Sequence, residues 1–337
     1  MTRFNSVSDL ARAYQLRLSQ GALKSRLDTL SRESATGVKA DIPLALGGDM
    51  GRISQLESQL TLLATYKNNL AEADSLLDGM QNAAESIRSM ASDSGTYFAS
   101  DTLTSSDNAL QAHLRKAPDQ MRAALSALNV SVAGRSAFAG SASNGPAVVG
   151  YEQLMAQLTT AVGGATDAAG ITAAIDAYFD GPSGSGGFSD IGYLGDDQGS
   201  IAVPISASKA VTTGLTANSP EFRMALKGFA VAAYAAGATG LDAQTVRSLS
   251  QAAGTRLVNS QSPLTAAMSR IGVQQEIVSR IQTTNAAETS TLTIARNALI
   301  EADPYETATA LKEIEANIET LYTLTSRLSK LSLVGYL

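Results

Sequence analysis

Apolar residues recur along much of this chain in alternating steps of three and four, and that spacing restricts the fold to helices lying side by side at shallow angles. The pattern occurs in five stretches. The first runs through Ala13, Leu16, Gln20, Leu23, Leu27 and Leu30, and the second through Leu56, Leu63, Tyr66, Leu70, Ala73, Leu77, Met80, Ala84 and Ile87. A third, Leu114, Ala117, Met121, Ala124 and Leu128, carries Pro118 near its start, where proline fits a first helical turn and deeper in would kink the helix. The fourth is Leu264, Ala267, Ile271, Gln274, Val278, Ile281, Asn285, Glu288, Leu292, Ala295 and Leu299. The fifth is Leu311, Ile314, Ile318, Leu321, Thr325, Leu328 and Leu331. Between these last two, Asp303 before Pro304 reads as a helix cap followed by the first helical residue.

The middle of the chain is different. Residues 134–200 hold 14 of the 28 glycines, including the run "GPSGSGG" at 181–187, a density that favours turns over helices. Two short strand candidates follow, "SIAVPIS" at 200–206 and "AVTTGLT" at 210–216. The expectation is helix, then a small, irregular, partly β insertion, then helix.

At 337 residues with 44% hydrophobic content, the chain is long enough for two or three domains with a real core. No stretch reaches the roughly 18 uninterrupted apolar residues of a membrane span, and "MTRFNSVSDLARAY" has no apolar segment of the secretory kind, so neither membrane insertion nor a cleaved signal is expected. With no cysteine there is no disulfide, thiolate metal site or cysteine nucleophile. The one histidine, His113, reads as a polar position on a helix, and a formal charge of −6 argues against nucleic acid as a partner.

Charge is unevenly placed. Residues 1–40 carry seven Lys/Arg against three Asp/Glu, a balance of +4, while residues 301–337 carry three against six, a balance of −3. Opposite charge favours packing of the first and last helices against each other, though the apolar seam supplies most of the stabilisation. Leu10, Leu18, Leu324, Leu333 and Tyr336 fall off the seam and would stay wet in a lone hairpin. Exposed apolar surface of that kind marks an interaction site, or else covers another part of the same core.

Several segments resemble the bacterial flagellin superfamily. In "LSRESATGVKADIPLALGGDMGRISQLESQL" (30–60) the matching residues are Thr36, Gly37, Val38 and Lys39, then Asp41 and Pro43, with Ile42 interrupting the family's usual Asp pair before proline. "YKNNLAEADSLLDGMQNAAESIRSMASDSG" (66–95) is similar at Tyr66, Asn69, Ala73, Leu76 and Leu77. "LNVSVAGRSAFAGSASNGP" (128–146) is similar at Asn129, Gly134, Arg135, Phe138 and Gly140. The ending "ALKEIEANIETLYTLTSRLSKLSLVGYL" resembles the hook-associated protein 3 branch of the superfamily, and "YLGDDQGSIAVPIS" (193–206) fits that branch too.

This resemblance covers residues 1–145 and 190–337. It implies a mainly α fold, a long helical coiled-coil rod built from both termini with a small β-containing outer domain inserted in the middle. The expected domains are 1–40 with 301–337 for terminal assembly, 41–140 with 217–300 as a helical rod, and 141–216 as a glycine-rich, partly β outer domain. The implied role is structural: a secreted, non-enzymatic component of the flagellum at the hook-filament junction, exported by the type III route without a cofactor. Absence of cysteine suits a protein that travels unfolded and works outside the cell. Implied partners are further copies in a ring, the neighbouring hook-associated junction protein, flagellin and a flagellar export chaperone. The assembly interface would comprise Leu10, Leu16, Leu18, Leu23, Leu27, Leu30, Leu311, Ile314, Ile318, Leu321, Leu324, Leu328, Leu331, Leu333, Tyr336 and Leu337.

Two other readings stay open, a divergent or minor filament flagellin and a secreted coiled-coil effector or signalling module. "GDDQG" (195–199) pairs two carboxylates that a hard cation could use, but without the ligand spacing of a calcium loop it reads as a turn. The seven serines and threonines in "SGTYFASDTLTSSD" (94–107) lack an accompanying base, which predicts a solvated loop.

Overall fold

Helix boundaries fall where the sequence places its start and stop signals. The computed structural model describes residues 3–100, 106–197, 199, 202–212 and 214–334, with the backbone alone at 3–10, 13 and 328–334. Among the described residues, ten α-helices and four strands follow in order: α1 Arg3–Thr36, α2 Ile42–Ala45, α3 Gly51–Ser100, α4 Asp107–Leu114, α5 Ala117–Leu128, β1 Ser131–Val132, β2 Arg135–Ser136, α6 Tyr151–Val162, α7 Ala168–Asp180, β3 Ala202–Ser206, β4 Lys209–Thr212, α8 Pro220–Gly237, α9 Ala243–Ile300 and α10 Pro304–Val334. The fold is mainly α with a small β part. The chain divides into two units, residues 1–63 with 287–337, and residues 64–286.

In the first unit α1 packs against α10. The stop signal of α1 is Gly37, whose φ of +69° only glycine adopts cheaply and whose amide bonds the Glu33 carbonyl at 2.8 Å. The chain then pairs with the segment entering α10: the Lys39 amide donates to the Ile300 carbonyl at 2.8 Å and the Ala302 amide to the Gly37 carbonyl at 3.0 Å. Asp303 caps α10, accepting from the amides of Tyr305 at 2.8 Å and Glu306 at 3.1 Å, and Pro304 opens the helix. Asp41 likewise caps α2 through the Leu44 amide at 3.0 Å.

The second unit holds the main core. Its centre is α8, on which Phe222, Leu226, Phe229, Val231 and most alanines are buried, and which packs against α4, α5 and α7. A helix apolar all round is one enclosed all round. Next to it α3 and α9 approach closely at glycines: a Cβ added to Gly254 would lie 2.4 Å from the Ala99 amide nitrogen. Buried Leu70, Leu77, Met80, Ala84 and Ile87 from α3 and Leu264, Ala267, Ile271 and Val278 from α9 continue the same core. Pro118 sits in the first turn of α5 and Pro263 lies inside α9.

The strands form two antiparallel pairs, β1 with β2 and β3 with β4, the latter in the register Ala202 with Thr212 and Val203 with Val211. The turn joining β1 and β2 places Ala133 and Gly134 at φ of +51° and +79°, the geometry of a two-residue hairpin of the primed type.

Two expectations are corrected. The glycine-rich stretch contains two helices, α6 and α7, because its glycines cluster at the helix ends, Gly150, Gly163 and Gly181, while Leu154, Leu158, Ile171 and Ile175 keep helical spacing and are buried. The serine- and threonine-rich stretch is helical through Ser100, with Ser94 buried against the core, and its residues 101–105 lie outside the described residues.

Candidate functional site

The α1 and α10 pair was expected to carry the assembly surface, and its burial is graded rather than complete. Leu16, Leu23, Leu27 and Leu30 on α1 and Leu311, Ile318 and Leu321 on α10 are half-buried; only Ile314 is buried, at 5% exposure. These eight lie on the facing rows of the pair. Leu18 and Leu324, read as off the seam, are exposed at 57% and 50%. The side chains of Leu10, Leu328, Leu331 and Leu333, and the whole of Tyr336 and Leu337, lie outside the described residues.

Sequence reasoning missed two aromatics on the open faces, Tyr14 at 65% and Tyr322 at 48% exposure. Neither falls on the apolar series of its helix, so the periodicity does not mark them. The charges themselves do something other than expected. Among the described residues no ion pair joins α1 to α10, and Arg12, Arg17, Lys24, Arg26, Glu313, Glu315 and Glu319 take part in no ion pair within the chain. These seven side chains are exposed.

The flagellin-like positions of the second unit are structural anchors. Asn129 clamps Val148 from both sides, its amide donating to the carbonyl and its oxygen accepting from the N–H, each at 2.9 Å. Asn69 donates to the Pro204 carbonyl at 2.7 Å, tying α3 to β3, and Arg135 pairs with Glu72 at 2.7 Å. Phe138 is fully buried with its ring edge-on to Phe222, centroids 5.1 Å apart. Gly140 has φ of +62°, and a Cβ there would come within 1.8 Å of the Asp196 carbonyl oxygen.

The remaining candidates resolve as local structure. Asp196 accepts from the Ser141 hydroxyl, and Asp197 from Thr216 Oγ1 at 2.8 Å and from the Asn218 amide, so both carboxylates of "GDDQG" fasten the turn to its neighbours. Beside them burial pushes the Tyr193 phenol well above its usual range. Among the described residues no three His, Asp or Glu side chains group as a metal site. His113 stacks on Tyr97 with ring centroids 3.5 Å apart. Among the described residues no helix is long and apolar enough to cross a membrane.

No known protein family matches the chain, and no curated protein does. Among solved structures, one match is a protein of Vibrio parahaemolyticus described, provisionally, as a flagellar hook-associated protein; it shares 12% identity at a TM-score of 0.48, over 73% of this chain and 95% of that one.

Proposed function

We propose that the chain is a structural subunit of the bacterial flagellum, secreted by the flagellar export route and placed at the hook-filament junction. It acts by self-assembly and not by catalysis. The observation that carries this reading is the half-open α1 and α10 pair: each helix covers one row on the other and leaves Tyr14, Leu18, Tyr322 and Leu324 to solvent. Large apolar side chains left on exposed helix faces are the usual sign of a surface meant for a partner. The flagellin-like motifs supply the class of partner: copies of the same chain in a ring, with a second hook-associated protein on one side and flagellin on the other. An export chaperone would shield the same terminal helices before assembly. The resemblance of the ending to the hook-associated protein 3 branch supports a place at the junction instead of along the filament.

The test is removal of residues 328–337. Residues 64–286 contain the main core, so the truncated chain is expected to keep a cooperative urea transition while failing to incorporate at hook tips in a strain lacking the full-length protein. Normal incorporation of the truncated chain would overturn the proposal.

A further inference from the structure

The unpaired charges on α1 and α10 are arranged in matching stripes. On α1, Arg17, Gly21 and Lys24 follow one another at i, i+4 and i+7, and on α10 Glu315, Glu319 and Tyr322 do the same. That spacing puts each triplet on one side of its helix over a length of about 10 Å. All six residues are exposed, and among the described residues none of the four charged ones has an ionic partner.

Gly21 is the second observation. A glycine inside a helix costs about 1 kcal/mol relative to alanine, and the usual reason to keep one is close approach of another element. Among the described residues nothing lies within 4 Å of where its Cβ would stand. The notch is empty, and cations stand on either side of it.

We propose that the Arg17, Gly21 and Lys24 stripe of one copy docks on the Glu315, Glu319 and Tyr322 stripe of a second copy. With the helices parallel the stripes match residue for residue, and with them antiparallel Gly21 still meets Glu319 while the outer pairs are displaced by one residue, about 1.5 Å. One cation faces Glu315 and the other faces the ring of Tyr322, a cation on an aromatic face. Glu319 falls over Gly21, between the two cations, where the absent side chain lets the helices close. Opposite charge on two exposed faces also suppresses the wrong pairings, since α1 against α1 and α10 against α10 would set like charges together. This inference rests on the self-assembly reading and names the contact by which it proceeds.

The experiment uses the full chain in sedimentation velocity at low ionic strength and at about 1 M salt, where the screening length falls to about 3 Å. The wild type is expected to associate, and more weakly at high salt. Arg17→Glu with Lys24→Glu in one chain, and Glu315→Lys with Glu319→Lys in another, should each weaken association on the order of tenfold or more, while an equimolar mixture of the two restores it. Gly21→Leu separates docking from folding: the substitution should raise helix stability and still abolish association, because it fills the notch. A wild type that stays monomeric, reversal variants that associate normally, a mixture that does not recover, or a Gly21→Leu chain that associates as the wild type does would each overturn the inference. Normal incorporation at hook tips of the Arg17→Glu, Lys24→Glu chain, with the 328–337 truncation still excluded, sinks the stripe contact and leaves the flagellar reading standing.

Discussion

At the scale of single residues, the positions that stand out in the sequence are those whose side chain, or lack of one, has no substitute. Gly140 is the sharpest case. Its backbone lies in the left-handed region and its Cα faces the Asp196 carbonyl, so Gly140→Ala must both strain the backbone and displace the turn that Asp196 and Asp197 hold. A loss of roughly 2–4 kcal/mol is expected, read as a lowered urea midpoint with an unchanged slope. Asn129, Arg135 and Phe138, picked out with Gly140 from one short motif, are each fastened to a different part of the second unit, by an amide clamp, an ion pair and a buried ring. Their importance was legible through the family resemblance of that motif alone. Their partners Val148, Glu72 and Phe222 were not, because nothing local in a sequence encodes which distant carbonyl an asparagine will meet. The charges of α1 and α10 show the same limit from the other side: their signs were plain, but not that, among the described residues, none would pair across the two helices.

At the scale of elements, periodicity found the helices that keep one face wet. The first, second, fourth and fifth apolar series lie on α1, α3, α9 and α10, and the third begins at the end of α4 and continues along α5. It missed α8, whose alanines and phenylalanines are buried on every side and so leave no seam, and α6 and α7, whose short runs sit between glycines that also read as turns. Burial also divides the elements by what a substitution does. Phe229→Ala, in the enclosed α8, should cost about 3–5 kcal/mol and show in chemical denaturation of the second unit. Leu18→Ala, on the open face of α1, should change stability by less than about 0.5 kcal/mol and yet reduce association of the full chain. If Leu18→Ala destabilised the chain as Phe229→Ala does, α1 would be covered by the chain's own core and would not be an assembly surface.

At the scale of the whole molecule, the first and last segments pair: residues 1–63 and 287–337 form one unit, with α1 against α10, while residues 64–286 form a second whose core centres on α8. Matching seams and opposite charge in the first and last segments anticipated that pairing, though the ionic contacts that were to reinforce it are absent among the described residues. A self-sufficient core with a half-covered terminal pair is what a subunit needs if it is to fold alone and finish its burial only on meeting its neighbours. Where those neighbours lie is the central claim, and electron microscopy of flagella carrying a gold-labelled copy tests it most directly. The account predicts label in one short band where the hook meets the filament; label spread along the filament, or absent from the flagellum, would contradict it.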